Sequence, residues 1–571
     1  MSTVQIDHWC RSSGERMPDD SPLTHRVGLK TKSSTAAVTS SRIHFSDSDN
    51  FGATHSGIAM KPHPFSAIFL TICCLLLGCS GSKPTDPPTA NRSQPRLVLL
   101  YMTCTLNKSF LSPYNPKVQF TPNLENFGSE SVVFGKHRTE AGLSGVAFAS
   151  IYTGSQAQSH GVFTHPARLS NSVYDVTDAF AEDGYDVFLW DAQPMCSKEL
   201  NYAQGAPSQN VFKRILQSGD PELKKILNRL ARDPNYKALL ITTFTLTHGP
   251  YAADHLGSFV PTYPEECQIL TEITQEELQK FLGLYRRNYH ALRFDFDNAR
   301  SELNLTPEDV SKLSRVLEML YKSNVNFLDR WFGALLSELD DAGILDESLI
   351  VFTADHGESL YEEQGPFNWS HAHTLKGNVL DVPLIIRAAK AGISPGRFDR
   401  VTRSVDLFPT LVGLAGIQPA EEMTVMGVDL SEAIKGHEET PDLLAYSHTA
   451  MVPPVSAENT IGGLRQELYP KTDMELTWVA VREGDRVWKY KNQGDKQFGF
   501  ERFNLRDDPA ETSDLFDSES PRDQQMAEEL VQYKAQLVRA YNQWTRRRNQ
   551  DTESSQQKKA LQKLRSLGYV K

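Results

Sequence analysis

Between Arg96 and about Lys435 the chain alternates short apolar runs with stretches of helical periodicity, and that alternation dictates a layered fold. Leu97-Val-Leu-Leu-Tyr-Met102 is apolar without a break, the pattern of a strand covered on both faces. Asp186–Trp190, Ala238–Phe244, Leu349–Thr353 and Val382–Ile386 repeat it. From about Glu308 to Ala342, apolar residues including Leu313, Val316, Leu317, Leu320, Tyr321, Leu328 and Leu335 recur at three- and four-residue steps. That spacing predicts one long amphipathic helix, capped by Gly343. The expectation is an α/β domain over 96–440, with a mostly parallel sheet sandwiched by helices and ligands at the carboxyl ends of its strands. After about Asp442 the texture changes. Trp478–Arg482 and Arg486–Tyr490 flank a Glu483-Gly484-Asp485 turn, Phe500–Leu505 adds a strand, and Asp523–Arg546 is helical. A small C-terminal antiparallel sheet plus helix is therefore expected over 441–546, followed by a basic tail at 547–571.

The balance of 59 Lys+Arg against 71 Asp+Glu gives a net charge of −12. An acid excess argues against nucleic acid as a partner, because phosphate binding draws on surplus basic side chains. Near the start, Phe65–Cys79 is an apolar run too short to span a bilayer comfortably. It follows the basic Met60-Lys61 and ends in Leu76-Leu77-Gly78-Cys79, which resembles a bacterial lipobox. Residues 60–79 are thus expected to be a lipoprotein-type signal peptide, with Cys79 as the lipidation site and 80–95 as a Pro/Thr-rich tether. The polar leader 1–59 fits no such scheme and is expected to be misassigned or disordered, with translation starting at Met60. The implied location is the cell envelope, anchored to the membrane and facing the periplasm or exterior. In the body only Cys104, Cys196 and Cys267 remain, so at most one disulfide is available there.

The most informative stretch is Phe352-Thr-Ala-Asp355-His356-Gly357-Glu358. An Asp-His pair just past the end of a strand puts two metal-capable side chains at the rim where such folds bind ligands. Taken alone it is also a string that a capped turn would produce. Other segments add context: Thr247-His248-Gly-Pro-Tyr251, Ser370-His371-Ala-His373-Thr-Leu-Lys376, Ala149-Ser-Ile-Tyr-Thr-Gly154, Ser404-Val-Asp-Leu-Phe-Pro409 and Phe503-Asn-Leu-Arg-Asp-Asp-Pro509.

In this order the series resembles the sulfatase family of the alkaline-phosphatase superfamily, from about Arg96 to Leu515. The resemblance implies hydrolysis of sulfate or phosphate esters at one divalent metal ion. It makes Asp355 and His356 metal ligands, and His248 and His371 the groups that contact and protonate the leaving oxygen. His373 and Lys376 become candidate substrate contacts. Two positions depart from the family pattern. Where its first strand ends in metal-binding aspartates, this chain has Cys104 or Thr103. A thiolate suits zinc or manganese better than the calcium the family implies. Where the family has Cys/Ser-x-Pro-x-Arg, this chain reads Ser144-Gly-Val146-Ala-Phe148. Without that proline and arginine no formylglycine is expected, and Ser144 would act as a plain alkoxide nucleophile.

Three readings follow. The first is an active metal-dependent hydrolase of sulfate, phosphate or phosphonate esters, acting on a small molecule or polysaccharide. The second is a catalytically inactive sulfatase-fold protein that binds sulfated glycans. The third is a superfamily phosphotransferase. The joint persistence of Asp355, His356, His248 and His371 favours the first.

Overall fold

The computed structural model describes residues 94–362, 368–418, 425–449, 474–493 and 496–550. The expected leader, signal peptide with Cys79, tether to residue 93, and tail beyond 550 lie outside the described residues. The large sheet has eight strands in the order β4-β3-β5-β1-β6-β7-β2-β8. They are β1 (Leu97–Thr103), β2 (Val132–Arg138), β3 (Asp186–Trp190), β4 (Val211–Phe212), β5 (Ala238–Phe244), β6 (Ser348–Ala354), β7 (Leu384–Arg387) and β8 (Gly396–Arg403). β7 runs antiparallel to both β6 and β2, while the other pairings are parallel. The expected strand at Val382–Ile386 starts two residues late because Pro383 has no N–H to give; its carbonyl instead accepts Thr353 Oγ1 at 2.8 Å.

β1 lies at the centre, with Leu97 opposite Ala238 on one side and Ser348 on the other. Its side chains alternate between two cores. Leu97, Leu99 and Tyr101 pack with Leu313, Leu317 and Phe332, whereas Val98, Leu100 and Met102 pack with Phe148, Ile151 and Phe408. Each fully buried side chain of this size contributes about 2 kcal/mol. Three helices matter for the site: α1 (Ser144–Thr153), α2 (Gln275–Phe294) and α3 (Pro307–Asp341). α3 is the long helix the periodicity predicts. It opens on a capping box between Thr306 and Asp309 and stops where Gly343 takes φ 68°. α2 is kinked: Asn288 leaves helical geometry (φ −118°, ψ 20°) and its Nδ2 donates to the Leu284 carbonyl at 2.9 Å. That break re-aims the last turn, from Tyr289 to Phe294.

The second sheet is antiparallel, β12-β11-β10-β9, built from β9 (Ala445–His448), β10 (Val479–Glu483), β11 (Arg486–Gln493) and β12 (Lys496–Asn504). The terminal helix α4 (Pro521–Gln550) packs on it, anchored by Trp488 Nε1 donating to Asp523 Oδ1 at 2.8 Å. Leu143 and Val146, which flank Ser144, sit in one apolar cluster with Val479, Val481, Trp488, Met526 and Leu530 of this appendage. Polar contacts tie the two sheets as well. Asp381 takes Arg138 at 2.8 Å and Arg482 at 2.7 Å, all three buried. Among the described residues, no helix is long and apolar enough to cross a membrane, and Cys104, Cys196 and Cys267 are free thiols.

Candidate active site

The carboxyl ends of β1, β5 and β6 stay interlocked beyond the ladder. Cys104 N donates to the Phe244 carbonyl at 2.9 Å, Asp355 N to Thr103 at 3.0 Å, and Leu106 N to His356 at 2.9 Å. Thr105 takes φ 55°, a conformation that costs a residue with a Cβ about 1–3 kcal/mol. Tyr321 of α3 props this turn, donating to the Thr105 carbonyl and accepting from Asn107 N, each at 2.9 Å. Asp355 splits its two oxygens. Oδ1 accepts Thr105 N at 3.0 Å and His356 N at 2.7 Å, while Oδ2 is buried without a hydrogen-bond partner. Cys104, Asp355 and His356 are each fully buried.

Ser144 opens α1 and delivers its hydroxyl into this corner, 3.1 Å from His356 Nε2 and 3.6 Å from Cys104 Sγ. His356 Nδ1 lies 2.9 Å from the Gly357 carbonyl. A carbonyl only accepts, so the ring proton sits on Nδ1 and the Nε2 lone pair faces Ser144. Burial and the nearby Asp355 charge push the Cys104 thiol well above its ordinary value, and Gln193 Nε2 donates to its sulfur at 3.1 Å.

Around this corner stand further imidazoles. The His371 ring is 4.3 Å from His356 and 5.3 Å from His248, between centroids. Thr247 holds the His248 segment in place by donating to the Cys104 carbonyl at 2.6 Å. Burial and the Arg293 charge lower His248 to about 3, and the same causes hold His373 at about 3. Burial, with the Arg293 charge, lowers His165 to about 4 and His371 well below its ordinary range. His371 Nδ1 lies 3.2 Å from Glu358 Oε1, and burial pushes that carboxyl up to about 8.

A model of the sulfatase family matches residues 96–417. The chain belongs to the sulfatase family. It is 30% identical to a choline-sulfatase of Rhizobium meliloti over half of this chain, a match that spans 46% of that relative's length. It is 21% identical to an N-acetylglucosamine-6-O-sulfatase of Bacteroides thetaiotaomicron, over 80% of this chain and 88% of that one. Among solved structures, one in complex with its substrate D-glucosamine-2-N,6-O-disulfate superposes with a TM-score of 0.54 at 18% identity, covering 79% of this chain and 98% of that one. A phosphonate monoester hydrolase of Agrobacterium radiobacter gives 0.51 at 16% identity, covering 79% and 96%.

Of the residues that the sulfatase resemblance singles out, the structure gathers Cys104, Ser144, Asp355 and His356 in one corner, with His248 and His371 beside it. His373 stands further along the same wall, its ring edge-on to Phe294 at 5.5 Å. Lys376 Nζ lies 2.5 Å from Glu362 Oε2. Sequence reasoning assigns no role to Glu358, Gln193, His165 or Arg293. Glu358 follows the Asp-His-Gly string directly and was the one within reach. The sulfatase family generally uses a divalent metal, and these residues fit a small one. In a tetrahedral site, donors at about 2.0–2.3 Å from the ion lie roughly 3.3–3.6 Å apart. Here Ser144 Oγ, His356 Nε2, Asp355 Oδ2 and Cys104 Sγ are linked by separations of 3.1, 3.4 and 3.6 Å. The unpartnered Asp355 Oδ2 is the donor such a site leaves open.

Proposed function

We propose that this protein hydrolyses sulfate monoesters, with Ser144 as the nucleophile. The observation that carries the reading is the buried contact of Ser144 Oγ with His356 Nε2, beside Asp355 Oδ2, which has no hydrogen-bond partner within normal distance among the described residues. Cys104, Asp355 and His356 would hold one divalent ion, and the donor set of thiolate, carboxylate and imidazole favours zinc over calcium, which asks for six or more oxygens. Bound there, the ion supplies positive charge that acidifies a hydroxyl and neutralises the transferring group.

The residues themselves do the rest. His356, with its proton fixed on Nδ1, has only the Nε2 lone pair to give; that lone pair would go to the ion and hold the Ser144 hydroxyl, 3.1 Å away, beside it. Ser144 is the first residue of α1, at the positive end of that helix's dipole, which favours an oxygen that gains negative charge. His248 Nδ1 is committed to the Gly249 carbonyl, so its Nε2 offers only a lone pair and the proton for the leaving oxygen must come from elsewhere. His371 and Glu358 form a hydrogen-bonded pair, and the raised Glu358 carboxyl keeps a proton within that pair near neutral pH. Closely packed walls exclude water, so the transferred group meets fixed dipoles rather than solvent.

The names of the similar proteins suggest two substrates to compare, choline sulfate and N-acetylglucosamine 6-sulfate. Steady-state turnover of both, together with an aryl sulfate and an aryl phosphate, tests the reading. Ser144→Ala is expected to lose at least about 10³ in kcat with its fold intact, and Asp355→Ala to lose its metal. A Ser144→Ala protein as active as the parent would refute the assignment.

A further inference from the structure

The sulfatase resemblance places a charge-stabilising arginine at position 148, where this chain has phenylalanine. Phe148 is fully buried and packs with Met102, Ile151 and Phe408, so this position has become part of the core. Lys376 is engaged by Glu362. An ester whose transferring group gains charge in the transition state needs a fixed cation close by.

We propose that Arg293, in the last turn of α2, supplies the charge that position 148 has given up, and that its guanidinium contacts the sulfuryl oxygens of the bound ester. The proposal rests on the hydrolase reading above and names the residue that makes it electrostatically workable. Arg293 is 5% exposed. Its Nη2 lies 3.3 Å from His371 Nε2 and 3.4 Å from Nδ1, so it reaches the same imidazole that stacks near His356. Its Nε is buried with no hydrogen-bond partner. Its guanidinium carbon lies over the rings of Tyr289 and Phe294, 4.9 Å from each centroid. An arginine has five N–H donors in a planar fork that matches a tetrahedral oxyanion, and a buried one normally spends them on a carboxylate. Here no hydrogen bond joins it to a carboxyl group, Glu358 included, among the described residues. Arg293 lies in the helical turn that follows the break at Asn288.

The test uses the full chain as parent, Arg293→Ala, Arg293→Lys and Ser144→Ala. Binding of inorganic sulfate is followed by calorimetry, and turnover of 4-nitrophenyl sulfate by absorbance. The parent and Ser144→Ala are expected to bind sulfate, and Arg293→Ala to bind it at least about tenfold more weakly. Arg293→Ala should lose about 10²–10³ in kcat, Arg293→Lys should recover part of that, and added guanidinium should rescue Arg293→Ala but not Ser144→Ala. Undiminished sulfate binding by Arg293→Ala overturns the inference. So does a loss shared equally by Arg293→Lys, accompanied by a lowered melting temperature and no guanidinium rescue, because that marks a structural role. A parent that binds sulfate through Arg293 yet turns over no ester would sink the hydrolase reading and leave the anion contact standing. A parent that neither binds sulfate nor turns over would sink both.

Discussion

Cys104 occupies a place where an acidic side chain would serve a harder ion, and it does so on the least adjustable strand of the sheet. Its backbone is fixed by the Phe244 carbonyl on one side and the Thr247 hydroxyl on the other, so exchanging its side chain changes the donor atom with little backbone movement. Cys104→Asp is therefore expected to move the bound ion from zinc toward calcium, magnesium or manganese, read by elemental analysis of the purified protein. Unchanged zinc content in that variant would remove Cys104 from the ligand set. How much of the site the sequence discloses follows from where each residue sits. Asp355 and His356 are legible because a strand end fixes both their position and their company. Arg293 is not, since it lies on a helix far from any motif, in the turn after a break at Asn288 that no periodicity announces. Lys376 reads as a site residue by proximity in sequence, but spacing carries no information about which way a flexible ammonium points.

At the level of elements, the site depends on backbones that approach closely. A Cβ at Gly357 would lie 2.1 Å from the Asn378 carbonyl oxygen, and the Gly357 carbonyl is what fixes the His356 ring. Gly357→Ala is expected to cost at least about 2 kcal/mol in urea unfolding and to lower turnover by displacing His356; unchanged values of both would mean that the two segments give way freely. The strands themselves divide by burial. β1, β3, β5 and β6 are legible from sequence as apolar runs, and β1, β5 and β6 are buried throughout. β2 (VVFGKHR) and β8 (GRFDRVTR) carry polar residues that mask their register, because β8 is an edge strand and part of its surface is exposed. β9 is too short to announce itself, and it is specified by pairing with β10 rather than by its own residues.

Across the whole molecule, a buried acid joins the two sheets. Glu140 accepts Ser150 Oγ at 2.5 Å and Ala157 N at 2.9 Å, with His448 Nε2 at 3.5 Å and His160 Nε2 at 3.8 Å. Burial alone would raise this carboxyl, but hydrogen bonds and charge from His160 and His448 prevail and hold it at about 2, below its ordinary 4.5. The native state thus prefers the carboxylate. Its stabilisation is complete above pH 4.5 and is lost as the pH falls from there toward 2, because the unfolded chain takes up a proton that the native state refuses. Glu140→Gln is expected to lower stability at pH 7 by about 3 kcal/mol and to flatten that acid limb, measured by urea unfolding across the range. An acid limb as steep as the parent's would remove Glu140 from the titration. The apolar cluster that places Leu143 and Val146 against Val479, Trp488 and Met526 has a consequence in time. A nascent chain carries every motif residue of the site once His371 has emerged, yet the wall that seats the nucleophile is translated more than a hundred residues later. Synthesis therefore finishes the scaffold of the centre last, and a chain stopped short of its final helix would have the chemistry in its sequence but no place to perform it.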